Sequence, residues 1–103
     1  MFTGHETHDI SLEEASAMTK RYRNQMRPGD IKGGFFGRDA LLAVLSQANC
    51  VGIRYYYGFD DRGKQTMILV GADGSENDLY TGNILEFAIP CPTQCGETNP
   101  LNG

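Results

Sequence analysis

A helix is predicted near the start of the chain, after nine polar residues without periodicity. Ser11 and Glu14 have the spacing of a capping box, and Ile10 precedes them in the position of a hydrophobic staple. Apolar residues then recur on one helical face, at Ala15, Met18, Tyr22 and Met26. Because Pro28-Gly29 cannot continue a helix, the pattern predicts that this helix ends there.

A second helix is predicted from about Arg38 to Gln47. Before it, glycines on both sides of Phe35-Phe36 indicate a linker that bends around two aromatic residues. The helix carries a wide apolar face made of Leu41, Leu42, Val44, Leu45 and Ala48. This face is more apolar than that of the first helix, so the second helix is expected to be the more buried of the two.

Three strands are predicted in the second half of the chain. In VGIRYYYGF, alternate residues fall on one face, namely Val51, Ile53, Tyr55, Tyr57 and Phe59. The turn DDRGK, with Gly63, joins this strand to QTMILVGA, whose residues are apolar on both faces and therefore indicate a central strand. The third strand is ILEFAI, with Leu85, Phe87 and Ile89 on one face, and it stops at Pro90.

These elements predict an α+β fold in which two N-terminal helices pack on a small antiparallel sheet of about three strands. The 103 residues suffice for one core. We expect a loose N-terminal arm over residues 1–10, a single α+β domain over 11–90 and an irregular tail with cysteine and proline over 91–103. The doubly apolar strand leaves surface that a helix on each face, or a second copy of the chain, must cover.

The net charge and the length of the apolar runs limit the classes of protein to which the chain can belong. Thirteen acidic residues against nine basic ones give a net charge of −4, which argues against a protein that binds duplex nucleic acid. No apolar run is long enough to cross a bilayer, and the N-terminus does not have the pattern of a signal peptide. We therefore expect a cytoplasmic protein with no membrane contact, and the odd number of cysteines suits thiols that stay reduced.

The most conspicuous motif is PCPTQCG, which contains Cys91 and Cys95. Their spacing occurs in zinc sites, and His5 and His8 are the candidates for a second pair of ligands. A redox pair would more typically be C-x-x-C at the start of a helix, and no helix is predicted here. A disulfide would close only a short loop. The favoured interpretation is that both cysteines lie in a docked tail and bind no metal or cofactor. Cys50 is expected to be a small buried residue.

The basic residues gather in the first part of the chain, at Lys20, Arg21, Arg23, Arg27, Lys32 and Arg38. Such a cluster suits an anion or charge pairing between copies, although a solvated helix face is the usual explanation. No nucleophile lies beside a base in a recognisable motif, so we expect no enzyme activity.

Binding is the remaining class of function. Arg54 and Tyr56 lie between Gly52 and Gly58, which leaves room for a flat group to approach the sheet. The residues expected at a contact surface are Phe35, Phe36, Arg54, Tyr56, Met67 and Leu69. We expect a non-catalytic protein that forms a homo-oligomer or binds a protein partner. The alternatives are a metal- or thiol-dependent module that uses the CPTQC pair, and a small-ligand binder at the face of Arg54 and Tyr56.

Several motifs occur in a fixed order from residue 35 to the end: FGR at the second helix, CVGIRYYYG, VGAD and CPTQCG. In these motifs the chain resembles a group of small uncharacterised proteins from Bacteroidetes-type bacteria. The resemblance implies a bacterial protein of one domain with a CPTQC tail. It implies no activity, cofactor or catalytic residue.

Overall fold

The computed structural model describes residues 1–86 and 89–103 and has an α+β fold with two helices and two small antiparallel sheets. The helices are α1 (Leu12–Arg23) and α2 (Arg38–Leu45). The strands are β1 (Gly33–Phe35), β2 (Gly52–Phe59), β3 (Gln65–Ala72), β4 (Ile84–Glu86) and β5 (Ile89–Cys91). The α+β class is confirmed, but the strands form two sheets, β2-β3-β4 and β1-β5, where the sequence pattern predicts one.

The described residues fall into two compact units. The first, which we call the sheet unit, contains Met1–Glu6, α2 and the β2-β3-β4 sheet. The second, the tail unit, contains α1, the β1-β5 sheet and the residues that follow β5.

Helix α1 begins as the capping box predicts. The Ser11 hydroxyl accepts a hydrogen bond from the Glu14 backbone N–H at 3.0 Å and donates one to the Glu14 carboxylate at 3.0 Å. The helix ends at Arg23, earlier than predicted, because the backbone N–H groups of Gln25 and Met26 bond to carbonyls three residues back. This tighter winding is common in a last helical turn and ends the α-helical ladder before Pro28 is reached.

The core of the sheet unit forms where α2 packs on β2 and β3. Val44 of α2 is fully buried. Strand β3 is central in its sheet, as predicted. Its consecutive residues Leu69 and Val70 point to opposite faces of the sheet and are only 7% and 4% exposed. Both faces of β3 are therefore covered. For α1, packing on this sheet stays a prediction.

The β1-β5 sheet of the tail unit differs from the predicted elements. The glycine-rich segment expected to be a linker forms β1, with Gly33 opposite Cys91 and Phe35 opposite Ile89. The predicted third strand contributes its first residues to β4 and Ile89 to β5, and these strands have different partners. Phe87, predicted to share a face with Leu85 and Ile89, lies outside the described residues. Local alternation indicates an extended segment but does not specify its pairing partner, which here lies far away in the chain.

Candidate functional site

An open edge with exposed aromatic residues is the first notable surface of the sheet unit. Strand β2 is the outer strand of its sheet and, within the described part of the chain, pairs only with β3. On one face Tyr55, Tyr57 and Phe59 are 54%, 68% and 78% exposed. The rings of Tyr55 and Tyr57 meet edge to face with centroids 5.6 Å apart, and a hydrogen bond with Tyr55 raises the pKa of Tyr57. A long apolar strand with an unpaired edge is a surface to which another strand can add.

The length of α2 explains why this face is open. An eight-residue helix is about 12 Å long, whereas an eight-residue strand spans about 26 Å. The residues after α2 approach the sheet at Gly71, where an added Cβ would lie 2.9 Å from both Cys50 Sγ and Gln47 Nε2. Gly71 is paired with Ile53, at the start of β2. The three aromatic residues at the other end of β2 therefore lie beyond the cover that α2 provides.

Arg54 and Tyr56, on the opposite face of β2, meet at Asp78. Arg54 Nη1 donates to Asp78 Oδ1 at 2.6 Å, and the Tyr56 hydroxyl donates to Asp78 Oδ2 at 2.5 Å. The side chains of Arg54 and Asp78 are 29% and 24% exposed. The hydrogen bonds from Tyr56 and Arg54 lower the pKa of Asp78, and the hydrogen bond to Asp78 raises the pKa of both donors.

A flat group does lie beside Arg54, and it belongs to the chain itself. The Phe2 ring centroid is 5.4 Å from the Arg54 guanidinium carbon, within the range of a cation–π contact. The Phe2 backbone N–H also donates to the Gly74 carbonyl at 3.1 Å. The sequence predicts a loose arm here, yet Met1–Glu6 belongs to the sheet unit. The pattern of hydrophobic and polar residues does not predict this contact, because the contact depends on a single aromatic ring.

The arm is also ordered locally around Glu6. Its carboxylate accepts hydrogen bonds from the backbone N–H groups of Thr3 at 2.8 Å and Gly4 at 2.9 Å. Backbone hydrogen bonds, above all that from Thr3, lower the pKa of Glu6 to about 2.

The other predicted contact residues are distributed over both units. Met67 lies opposite Tyr57 in the sheet and is half-buried. Leu69 lies in the core, so its burial removes it from any contact surface. Phe35 is 58% exposed on β1 of the tail unit, whereas its neighbour Phe36 is half-buried in the sheet unit.

The tail unit contains a disulfide between Cys91 and Cys95, with Cα atoms 4.9 Å apart. The expectation of reduced thiols therefore does not describe this pair. Cys50 is free and half-buried, and its Sγ donates to the Gly52 carbonyl at 3.2 Å. His5 and His8 are exposed, and residues 1–86 and 89–103 hold no group of three or more side chains placed to bind a metal ion.

The residues after the disulfide lie along α1. Three consecutive tail carbonyls accept hydrogen bonds from side chains: Pro100 from Ser16 at 3.0 Å, Leu101 from Arg23 at 2.6 Å and Asn102 from Lys32 at 2.5 Å. A cavity of about 190 Å³ remains beside Leu101, lined by Met18, Thr19, Tyr22, Arg23 and Lys32. We call this surface of α1 and Lys32 the tail groove. The tail groove is not predictable from the sequence, because its polar contacts are to main-chain carbonyls, which no side-chain pattern reveals.

Among the described residues, no helix has the length and apolar character needed to cross a membrane. No protein-family model matches the chain, and comparisons with curated proteins and with solved structures find no match. The resemblance to small bacterial proteins therefore stays a prediction.

Proposed function

We propose that this protein is a non-catalytic module that associates with a second copy of itself through the outer edge of β2. The observation that carries the proposal is an eight-residue strand whose outer edge has no partner strand within residues 1–86 and 89–103, combined with three exposed aromatic side chains. Natural edge strands are usually protected by lysine, proline or a bulge. The sequence GIRYYYGF contains neither lysine nor proline.

A twofold axis beside β2 gives the simplest geometry for such a dimer. The two β2 strands would then pair antiparallel and extend each three-stranded sheet into a continuous six-stranded one. The only charged residue of β2 is Arg54, and Asp78 of the same chain neutralises it at 2.6 Å. Pairing β2 with itself therefore places no uncompensated like charges at the contact.

The area available is compatible with a modest interface. A buried aromatic side chain covers about 150–250 Å², so the exposed fractions of Tyr55, Tyr57 and Phe59 amount to about 300–500 Å² in each copy. A standard interface buries about 800 Å² on each partner. The backbone of β2 and the exposed Leu42 and Leu45 of α2 supply further area in the same unit.

The test is the molar mass in solution, measured by size-exclusion chromatography with light scattering, with and without reductant. We expect twice the chain mass in both conditions. Tyr57→Lys should give a monomer, because it puts a charge into the paired face. Tyr80→Lys is the matched control, since Tyr80 is 74% exposed but lies in a turn outside the strands. A monomeric wild-type chain, or equal masses for the two variants, would contradict the proposal.

A second candidate function is the binding of a small aromatic ligand at Arg54. The observation that favours it is the Phe2 ring, which already occupies this position. Phe2→Ala should open the position to an added aromatic compound such as indole, detected as shifts of the Arg54 side-chain NMR signals. The absence of any shift in the variant would exclude this candidate.

Origin and location belong to the same proposal. The resemblance described above supports a bacterial origin. A cytoplasmic location requires that the Cys91–Cys95 disulfide can be reduced, since the cytosol keeps most thiols reduced.

A further inference from the structure

The tail groove contains a peptide, and this peptide is the chain's own. Ser16, Arg23 and Lys32 bind the carbonyls of residues 100, 101 and 102 in order, and these residues form a turn that the hydrogen bond from the Gly103 N–H to the Asn99 carbonyl closes at 3.0 Å. Leu101 supplies the apolar side chain at the cavity. The occupant therefore indicates what the groove recognises: a turn that presents three consecutive carbonyls to the groove, with a leucine-sized side chain.

Asn102 connects this peptide to the disulfide. Its side-chain NH₂ donates to the carbonyls of Cys95 at 3.0 Å and Glu97 at 3.0 Å, and its side-chain oxygen accepts from the Asn99 backbone N–H at 2.8 Å. Cys95 is in turn tied to Cys91, which pairs with Gly33 in the β1-β5 sheet. The disulfide is a second covalent link, beside the main chain of residues 92–94, between the sheet and the Cys95 carbonyl that accepts from Asn102.

We propose that the tail groove is a peptide-binding site whose availability the Cys91–Cys95 disulfide controls. In the disulfide form, the chain's own residues 100–102 fill the groove. In the reduced form, the tail leaves more readily and the groove takes the same segment of a second copy. This proposal is independent of the contact through β2.

The chemical step is a thiol–disulfide exchange with a dithiol reductant. A thiolate of the reductant attacks one sulfur of the Cys91–Cys95 bond, and its second thiolate resolves the mixed disulfide. Two electrons and two protons pass to the protein, which gains two thiols, and the reductant becomes a disulfide. Both cysteines are half-buried and neither is fully buried, so a small dithiol can approach the bond.

The length of the chain segment that tethers residues 100–102 sets a lower limit for the gain in peptide affinity on reduction. With the disulfide, the tethered segment begins five positions before Pro100, at Cys95, whereas after reduction it begins nine positions before Pro100, at Cys91. The effective concentration of a tethered ligand falls roughly as the −3/2 power of tether length, which gives about a twofold loss. Loss of the ordered Cys95 carbonyl, an acceptor for Asn102, adds to this. We expect a peptide added in trans to bind about three- to tenfold more tightly after reduction.

The groove also has room for a competing segment to begin binding. Met18 and Tyr22 are 53% and 44% exposed, and the cavity of about 190 Å³ lies open beside Leu101. A second leucine-sized side chain can therefore enter beside Leu101 before the tail leaves.

The experiment uses the full chain and a fluorescent peptide of residues 96–103, GETNPLNG, with anisotropy as the readout. Affinity should rise on treatment with dithiothreitol and in the double variant Cys91→Ser and Cys95→Ser. Cys50→Ser is the matched control and should behave as wild type, because Cys50 is outside the tail unit. Equal affinities for the oxidised, reduced and double-variant proteins would overturn the proposal.

Two further comparisons distinguish peptide binding in the tail groove from a general loosening of the protein on reduction. Arg23→Ala in the reduced protein should abolish peptide binding, whereas Arg21→Ala, which alters an exposed arginine on the same helix, should preserve it. A peptide with alanine in place of the leucine should bind weakly.

Hydrogen exchange of the Leu101 and Asn102 backbone amides in wild type, before and after reduction, covers the case in which the double variant does not fold. Unchanged protection there would also overturn the proposal, as would peptide binding that is indifferent to Arg23. The outcome is distinct from that of the β2 test, since Tyr57→Lys should leave peptide binding intact.

Discussion

Asp78 holds Arg54 and Tyr56 with its two carboxylate oxygens, at 2.6 Å and 2.5 Å. Arg54 Nη1 also donates to the Glu76 carbonyl at 2.9 Å. Asp78 itself forms a bridge with Ala72, at the end of β3. These contacts therefore hold the turn after β3 against β2. They also hold Arg54 in the position where it contacts Phe2.

Asp78→Asn should lower the melting temperature by a measurable amount, because Arg54 loses its ion pair. The native Asp78 pKa is lowered, so its contribution is complete above the unfolded-state pKa and is lost as pH falls through the lower native value. The melting temperature of wild type, but not of Asp78→Asn, should carry this acid dependence. Asp61→Asn, in the exposed hairpin turn, is the control and should leave both properties unchanged.

Glu6 should give the N-terminal arm a pH dependence of its own. Its pKa is about 2, against 4.5 for the free group, so the order of the arm should be lost as pH falls from 4.5 to 2. The backbone amide signals of Thr3 and Gly4 report this directly by NMR. In Glu6→Gln the same signals should show no transition in this range, and a transition that persists there would contradict the assignment.

Phe2→Ala should loosen the arm while leaving the sheet intact. A cation–π contact at an accessible site corresponds to about a two- to fivefold shift between docked and free forms. Hydrogen exchange of the Phe2 amide, which bonds to Gly74, should accelerate by that factor. Phe59→Ala removes an aromatic ring that is 78% exposed and should not alter exchange in the arm.

Gly82→Ala should destabilise the sheet unit by about 1–3 kcal/mol, the usual cost of forcing an extra methyl group into a filled site. An added Cβ would collide with the Gln47 side-chain oxygen, which accepts a hydrogen bond from the Asn83 N–H at 2.8 Å. Chemical denaturation measures the difference. Gly52→Ala is the matched control, since an added Cβ has no neighbour within 4 Å there, and should change stability by less than about 0.5 kcal/mol.

The double variant Cys91→Ser and Cys95→Ser should lower the free energy of unfolding of the tail unit by about 2 kcal/mol, the loop-entropy value for so short a closed loop. Hydrogen exchange in β1 and β5 under native conditions measures it. Cys50→Ser should leave these amides unchanged. A loss of protection confined to the sheet unit would show that the disulfide does not stabilise the tail unit.

The sequence alone determined the local elements, and the reason is that their signals are local. The capping box at Ser11 and Glu14 specified the start of α1. A run that is apolar on both faces identified β3 as the central strand, because such a run can only be buried on two sides.

Tertiary structure alone decided which distant segments meet. Nothing near Gly33 indicates that it pairs with Cys91, and nothing near Asp78 indicates that it binds Arg54. The exposure of Tyr55, Tyr57 and Phe59 follows from the short length of α2 relative to β2, which periodicity on β2 cannot reveal. The tail groove depends on main-chain carbonyls, and every residue has one. Hydrogen bonds to such groups depend on the path of the chain, and only the folded structure defines that path.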